Sequence, residues 1–248
     1  MYEQTGRFYA FFGPHAVVTD EEKRFFAHWG AGCRRALDVG AGLCGPASTL
    51  AQLGLEVLAF EPSPILAALA MDRLNRGSES ERSITLVEGT PVNFSEPFAA
   101  DFILMRSVLM LLNNADRANA LNAAARHSAA GARLIVDART AALPWAEQGH
   151  LEEERRLGST TYRRRTRYMR EENGATRVHW SVEAVRFGRK ETIAEEQFLV
   201  RADTADELRQ LLAVHGFEVE QLCGSYDIDR TYSDADAMIV AVARLSPS

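Results

Sequence analysis

Short apolar runs alternate with longer amphipathic stretches over residues 34–138, and that rhythm breaks after Ala138. Ahead of it, residues 2–29 predict one or two short helices. They carry an aromatic cluster of Tyr2, Phe8, Tyr9, Phe11, Phe12, Phe25, Phe26 and Trp29, with Asp20 as a helix N-cap. "RRALDVG" then reads as a buried strand, a glycine loop follows, and "PASTLAQLG" reads as a helix with Pro46 at its first position and Gly54 as its stop. "LEVLAFE" is the next strand. The helix after it is capped by Ser63 and closed by Gly77. "SITLVEG" and "ADFILMRS" are strands, "DRANALNAAARHSAAG" is a helix ending at Gly131, and "ARLIVDA" is a strand. Strands separated by helices of this length predict a parallel sheet covered on both faces, with ligands beyond the carboxyl ends of its strands.

Beyond Ala138, "TTYRRRTRYMR", "TRVHWSVEAVRF" and "ETIAEEQFLVR" predict three strands with polar turns and no crossover helices, hence an antiparallel insertion. A helix capped by Thr204 and stopped by Gly216 follows, then two strands, "FEVEQLCG" and "AMIVAVAR", joined by an acidic loop. The expected fold class is therefore α/β: a Rossmann-like, doubly wound, mostly parallel seven-stranded sheet. One strand near the C-terminus runs antiparallel, and an antiparallel β segment is inserted. The expected organisation is an N-terminal helical lid over residues 1–33, a core formed by 34–139 with 203–245, and inserted strands over 140–202 serving as a substrate cover or dimer contact.

Size and composition narrow the function. A chain of 248 residues suits one core with an elaboration, and 46% hydrophobic with 25% charged residues is ordinary for a soluble globular protein. A net charge of −6 argues against broad nucleic-acid binding, which needs a cationic face. Cys33, Cys44 and Cys223 are too scattered for a disulfide framework or a paired-cysteine metal site, so no metal is expected and a reducing, cytoplasmic setting is the default. The N-terminal residues do not read as a secretory signal, and no stretch is apolar enough to span a membrane.

"LDVGAGLCGPA", residues 37–47, holds the chemistry. Gly40, Gly42 and Gly45 spell the spacing associated with dinucleotide binding, but that match alone is weak. Asp38 stands two residues before the first glycine. A carboxylate there would repel a pyrophosphate and suits a cationic ligand. Glycines at 40 and 42 let the backbone approach that ligand closely. Glu61 ends the second strand, where a carboxylate accepts ribose hydroxyls in nicotinamide enzymes and methyltransferases alike.

The order of Asp38, glycine loop, Glu61, "VEGTPVNF", "DFILMRSVLMLL" and "AAGARLIVDA" resembles the class I S-adenosylmethionine-dependent methyltransferases, over roughly residues 34–138. The terminal helix and strand pair agree with it, and the later segment looks like a small-molecule branch of that superfamily. The resemblance implies S-adenosylmethionine as cofactor and S-adenosylhomocysteine as product. Asp38, Gly40, Ala41 and Gly42 would hold its methionine part, and Glu61 with Pro62 its ribose. Thr90 and Pro91 align where such enzymes contact adenine. The sequence departs from the pattern there, because Thr90 is a weaker acceptor than an acid and Pro91 has no N–H.

Methyl transfer needs alignment more than a catalytic motif, and no clear motif is present. Arg106, closing an apolar strand, is a candidate for positioning substrate or cofactor; its plainer reading is an arginine paired with a loop carboxylate. Tyr2 and Tyr9 are candidates for a lid, since aromatic faces stabilise a sulfonium; His179 and Trp180 project to opposite faces of their strand, and one of the two is a candidate to line the substrate cavity. The arginine run reads as a solvated strand face countered by "LEEERR" and "EEN". His15, His127 and His150 read as structural or surface residues, and Asp227, Asp229, Asp234 and Asp236 as a polar turn. The leading expectation is an enzyme that methylates N or O of a small heteroaromatic or amine metabolite, as a monomer or homodimer, without nucleic-acid or membrane partners. A nicotinamide-dependent oxidoreductase, an RNA or protein methyltransferase and a non-catalytic ligand-binding protein are the alternatives.

Overall fold

The computed structural model describes residues 4–13, 17–142, 150–171 and 174–247. Along the chain come α1 (Gly6–Phe12), α2 (Asp20–Trp29), β1 (Arg35–Val39), α3 (Gly45–Gln52), β2 (Glu56–Glu61), α4 (Pro64–Asn75), β3 (Ile84–Glu88), β4 (Ala100–Met105), α5 (Asn114–Arg126) and β5 (Ser128–Arg139). Then follow β6 (His150–Leu157), β7 (Thr160–Arg170), β8 (Thr176–Arg186), β9 (Arg189–Val200), α6 (Ala205–Val214), β10 (Phe217–Cys223) and β11 (Met238–Leu245). The seven-stranded sheet has the order β10-β11-β5-β4-β1-β2-β3. It is parallel except for β11, which runs antiparallel to both of its neighbours. The chain steps outward from β1 to β3 and returns to β4 on the other side of β1. That reversal places a switch point between β1 and β4, where a crevice opens at the strand ends.

Apolar side chains fill both faces of this sheet. Leu37, Phe60, Ile103 and Val136 point to one face, and Ala36, Val57, Phe102 and Ile135 to the other, as strand alternation requires. The two N-terminal helices do different things. Phe25 and Phe26 of α2 are fully buried in the main core, each contributing on the order of 2 kcal/mol. Helix α1 packs on the small sheet instead, with Phe12 against Val182 and Ala194. Arg117 of α5 forms a buried, two-pronged ion pair with Asp203 and donates from Nε to the Leu109 carbonyl at 3.1 Å, which ties α5 to the chain leaving β9.

Four local expectations need correction. Thr19, not Asp20, caps α2: its Oγ accepts from the Glu22 N–H at 3.1 Å and Glu22 Oε2 accepts from the Thr19 N–H at 2.8 Å. Pro46 is the second residue of α3, after Gly45. Helix α5 ends at Arg126 rather than Gly131, because the Ala100 N–H takes the His127 carbonyl and Ser128 pairs with Ala100, so the alanine stretch already belongs to β5. The insertion has four strands, in the order β6-β7-β8-β9. Its extra strand is the acidic stretch first read as flanking charge: Glu152, Glu153 and Glu154 stand opposite Arg165, Arg164 and Arg163, and each pairs with its partner. Cross-strand ion pairs of this kind let a charged segment serve as an edge strand.

No helix among the described residues is long and apolar enough to cross a membrane. Among them, no group of three or more His, Cys, Asp or Glu is placed to hold a metal ion.

Candidate active site

A cavity of about 340 Å³ opens above the carboxyl ends of β1, β2, β4 and β5, with β7, β8 and β9 as its roof. The glycine loop forms part of the floor. Its fold follows from backbone geometry: Gly40 has φ +75°, and a Cβ there would meet Val108 Cγ2 at 2.6 Å. Gly42 has φ +56° and no atom within 4 Å of where a Cβ would stand, so this stretch of backbone is left bare toward the cavity it lines. The Gly40 and Ala41 N–H groups donate to the Phe60 carbonyl at 2.8 and 2.9 Å, which locks the loop to the end of β2.

Two carboxylates line this floor. Asp38 is buried, and burial raises its pKa to about 7, with Arg106 opposing and Glu61 adding to the rise. The Ala47 N–H at the start of α3 donates to the Asp38 carboxylate, but its Oδ2 has no hydrogen-bond partner. Such an orphaned buried oxygen is costly and points to a ligand donor. Glu61 is buried as well and its pKa is also raised by burial, against hydrogen bonds from Ser63 and Gly42. Glu61 Oε2 accepts from the Gly42 N–H and Oε1 from the Ser63 N–H, both at 2.8 Å. A carboxylate has about four acceptor sites, so two remain, one on each oxygen.

Arg106 lies on the cavity wall just beyond β4, with its Nε donating to Glu22 Oε1 at 2.7 Å. Burial alone would lower its pKa, but Glu22, Tyr226 and Asp137 outweigh it and hold the guanidinium charged. The next residue, Ser107, has φ +59°, a strained conformation for a side chain of its kind. Asp137 holds it there, accepting from the Ser107 N–H at 2.5 Å and from the Tyr226 hydroxyl at 3.0 Å. The partner of Arg106 is thus a core carboxylate on α2 rather than one in a loop. Arg106→Ala leaves the buried Glu22 without its counter-charge at Oε1, and is expected to lower stability by about 2 kcal/mol. Thermal unfolding of the two proteins checks this, and an unchanged midpoint contradicts it.

The roof is aromatic. Tyr9 stacks on Trp180 with ring centroids 6.1 Å apart and planes inclined by 29°, and Phe198 meets Trp180 edge-on at 6.0 Å. Tyr168, Val178 and Val200 complete the apolar wall. Burial pushes the Tyr9 phenol up to about 12, so it stays neutral at ordinary pH. Behind Trp180 lies Arg164, its guanidinium 4.7 Å from the indole centroid. This arginine is buried and paired with Glu153, whereas Arg163 and Arg165, ion-paired as well, lie half-buried on the outer face of the run. His179, on the outer face, pairs with Glu195 at 2.5 Å.

The structure brings Tyr9, Asp38, Gly40, Ala41, Gly42, Glu61, Pro62, Arg106 and Trp180 to one cavity. Thr90 and Pro91 are not among the residues that line it. The Thr90 side chain is exposed, while Pro91 is buried with its carbonyl turned to α5, accepting from His127 Nε2 at 3.1 Å. Leu66 of α4 lines the cavity instead. His127 is a buried structural residue, and Asp236 is consumed within its own turn by Ser233 and Arg230. Tyr2 and His15 lie outside the described residues, as does the His150 side chain. Sequence reasoning missed Glu22, Ser107, Arg139, Tyr168 and Phe198. An aspartate ending the apolar run "ARLIVDA" was the one signal that this strand end is chemically special.

Residues 37–136 match a family model described as a methyltransferase domain. Compared by sequence, no curated protein matches the chain. Among solved structures, the chain is similar to the methyltransferase CcbJ from Streptomyces caelestis, with 17% identity, a TM-score of 0.75, and 99% of this chain and 97% of that chain covered. It is similar to a sugar N-methyltransferase from a Streptoalloteichus species at 19% identity and a TM-score of 0.72, covering 96% and 92% of the two chains. An amino pentose methyltransferase from Micromonospora echinaspora, involved in calicheamicin biosynthesis, aligns at 20% identity and a TM-score of 0.65, covering 90% and 88%. At these identities the likeness establishes the fold. The domain match adds that residues 37–136 carry a methyltransferase domain, the module of a methyl-transferring enzyme. The similar amino pentose methyltransferase was solved with S-adenosylmethionine bound. The open oxygen of Asp38 and the bare glycine backbone fit a cationic amino-acid moiety, and the two remaining acceptor sites of Glu61 fit a vicinal diol.

Proposed function

We propose that this enzyme methylates the nitrogen of an amine-bearing small molecule held beneath the four-stranded sheet. The observation that carries the reading is the division of the cavity. Its two carboxylates, Asp38 and Glu61, stand at the ends of β1 and β2, whereas Met110 and Leu111, just beyond β4, pack with Trp180, Phe198, Val178 and Val200 of the inserted sheet. Bound over β1 and β2, S-adenosylmethionine supplies an electrophilic methyl group on a sulfonium. Asp38 then holds its ammonium and Glu61 its ribose, while the tethered glycine loop fixes the methionine part. Helix α1 and the inserted sheet act as the cover over the acceptor.

No carboxylate or imidazole among the described lining residues belongs to the roof or to the β4 and β5 strand ends. A hydroxyl acceptor would want a base there, whereas a neutral amine attacks without one and loses its proton to water afterwards. Apolar walls and the Arg106 charge disfavour an ammonium and so keep the amine nucleophilic. The N-methyltransferase activity in the name of the similar sugar enzyme supports the same choice of atom.

The test is transfer of a labelled methyl group from S-adenosylmethionine to a panel of amino sugars and heteroaromatic amines, each beside its hydroxyl analogue. Label in amines alone supports the reading, and label in the hydroxyl analogues alone overturns it. Trp180→Ala is expected to raise the acceptor KM by about tenfold, because an aromatic wall of the acceptor half is lost. The KM for S-adenosylmethionine is expected to stay put. Equal changes in both constants would contradict the division of the cavity.

A further inference from the structure

We infer that the acceptor carries an anionic group, a carboxylate or a phosphate, and that Arg139 pairs with it. The inference rests on the methyl-transfer reading above. Arg139 closes β5 and lines the cavity, partly withdrawn from water. Its backbone is fixed from two sides: its carbonyl accepts from the Asp203 N–H at 2.7 Å, and it stands opposite Met238 of β11. The guanidinium makes no ion pair or hydrogen bond with any described residue. Arg106, by contrast, has Glu22.

The two cavity carboxylates are out of its reach. In the sheet, β5 lies two strands from β1 and three from β2. At the usual strand spacing that is about 10 Å from Asp38 and about 14 Å from Glu61 across the sheet, and Arg139 also lies four residues, about 13 Å, beyond Ile135, which is level with Leu104 and Asp38. What does face Arg139 is the roof: its charge acts on the Tyr168 phenol of β7. A guanidinium beside apolar walls, with no counter-ion among the described residues, is unfavourable by itself and becomes favourable when a planar oxyanion docks. Its fork matches a carboxylate or a phosphate edge. Both the roof and Arg139 belong to the acceptor half, so the anion is part of the acceptor.

The experiment uses the full chain saturated with S-adenosylhomocysteine, titrated calorimetrically with benzoate, phenyl phosphate and the neutral isostere benzamide. Wild type and Arg139→Gln are compared, and thermal unfolding establishes that the variant is folded. The expected result is that at least one anion binds about tenfold more tightly than benzamide to the wild type, and that Arg139→Gln abolishes the difference. The affinity for S-adenosylhomocysteine is expected to be the same in both proteins. The tighter of the two anions identifies the group as carboxylate or phosphate. Equal binding of all three probes, no binding of either anion at millimolar concentration, or a preference that survives in the variant overturns the inference. So does weaker S-adenosylhomocysteine binding by the variant, which would assign Arg139 to the cofactor's own carboxylate. Failure of the wild type to bind S-adenosylhomocysteine would overturn the methyl-transfer reading itself, and the inference with it.

Discussion

Asp38→Asn is expected to weaken S-adenosylmethionine binding by about a hundredfold, the value of a strong hydrogen bond between charged groups. The same substitution is expected to raise the melting temperature of the ligand-free protein at pH 8. Both effects come from one carboxylate. Burial lifts Asp38 to about 7, against an ordinary value of 3.8, and leaves Oδ2 without a partner. Between about pH 4 and about pH 7 the folded chain therefore keeps a proton that the unfolded chain has released. Stability falls as the pH rises through that window and levels off above it, by on the order of 4 kcal/mol in total. Asparagine carries no charge and removes this slope.

A cationic ligand reverses the balance, because an ammonium at Oδ2 favours the ionised form. Wild-type affinity for S-adenosylmethionine is thus expected to rise with pH through about 7, while that of the variant stays flat. Calorimetry at pH 6 and pH 8, beside thermal unfolding without ligand, checks both halves. Wild-type affinity in Asp38→Asn would remove this residue from the site.

Glu61→Ala is expected to be more damaging to binding, by well over a hundredfold, since two charge-assisted hydrogen bonds to the ribose are lost at once. It also releases the Gly42 and Ser63 N–H groups that the carboxylate holds at 2.8 Å. The floor of the cavity loosens and the melting temperature falls, so the alanine variant alone would not separate binding from folding. Glu61→Gln is the milder variant. It keeps the volume and one of the two tethering acceptors, so it is expected to lower the melting temperature less than the alanine variant while losing about tenfold in cofactor affinity, measured below the melting temperature of both proteins. A glutamine variant that binds like wild type would reduce Glu61 to a structural tether.

Much of this design is legible in the residues themselves. Short apolar runs between helices, Ser63 before Pro64, and the glycines at 40 and 42 encode local geometry, and the parallel sheet follows from them. So does the placement of Asp38 and Glu61 at adjacent strand ends, because strand, loop and helix are contiguous there. What escaped depends on partners distant in sequence. β6 is built of charges that look like loop until Glu152, Glu153 and Glu154 meet three arginines on β7. The boundary between α5 and β5 is set by Ala100, not by the alanines it divides. Arg106 reads as a possible substrate contact until Glu22, 84 positions earlier in the chain, is found against it. For Arg139 the only local signal is the neighbouring Asp137, since the fold alone carries its side chain to the cavity.

The most direct test of the account is a calorimetric titration of the purified protein with S-adenosylhomocysteine, alongside NADH and NADPH in the same buffer. Saturable binding of S-adenosylhomocysteine with no heat from either nucleotide, weakened in Glu61→Gln, is the predicted result. Saturable binding of a nicotinamide nucleotide in its place would mean that the glycine loop serves a pyrophosphate, and would contradict the role given to Asp38.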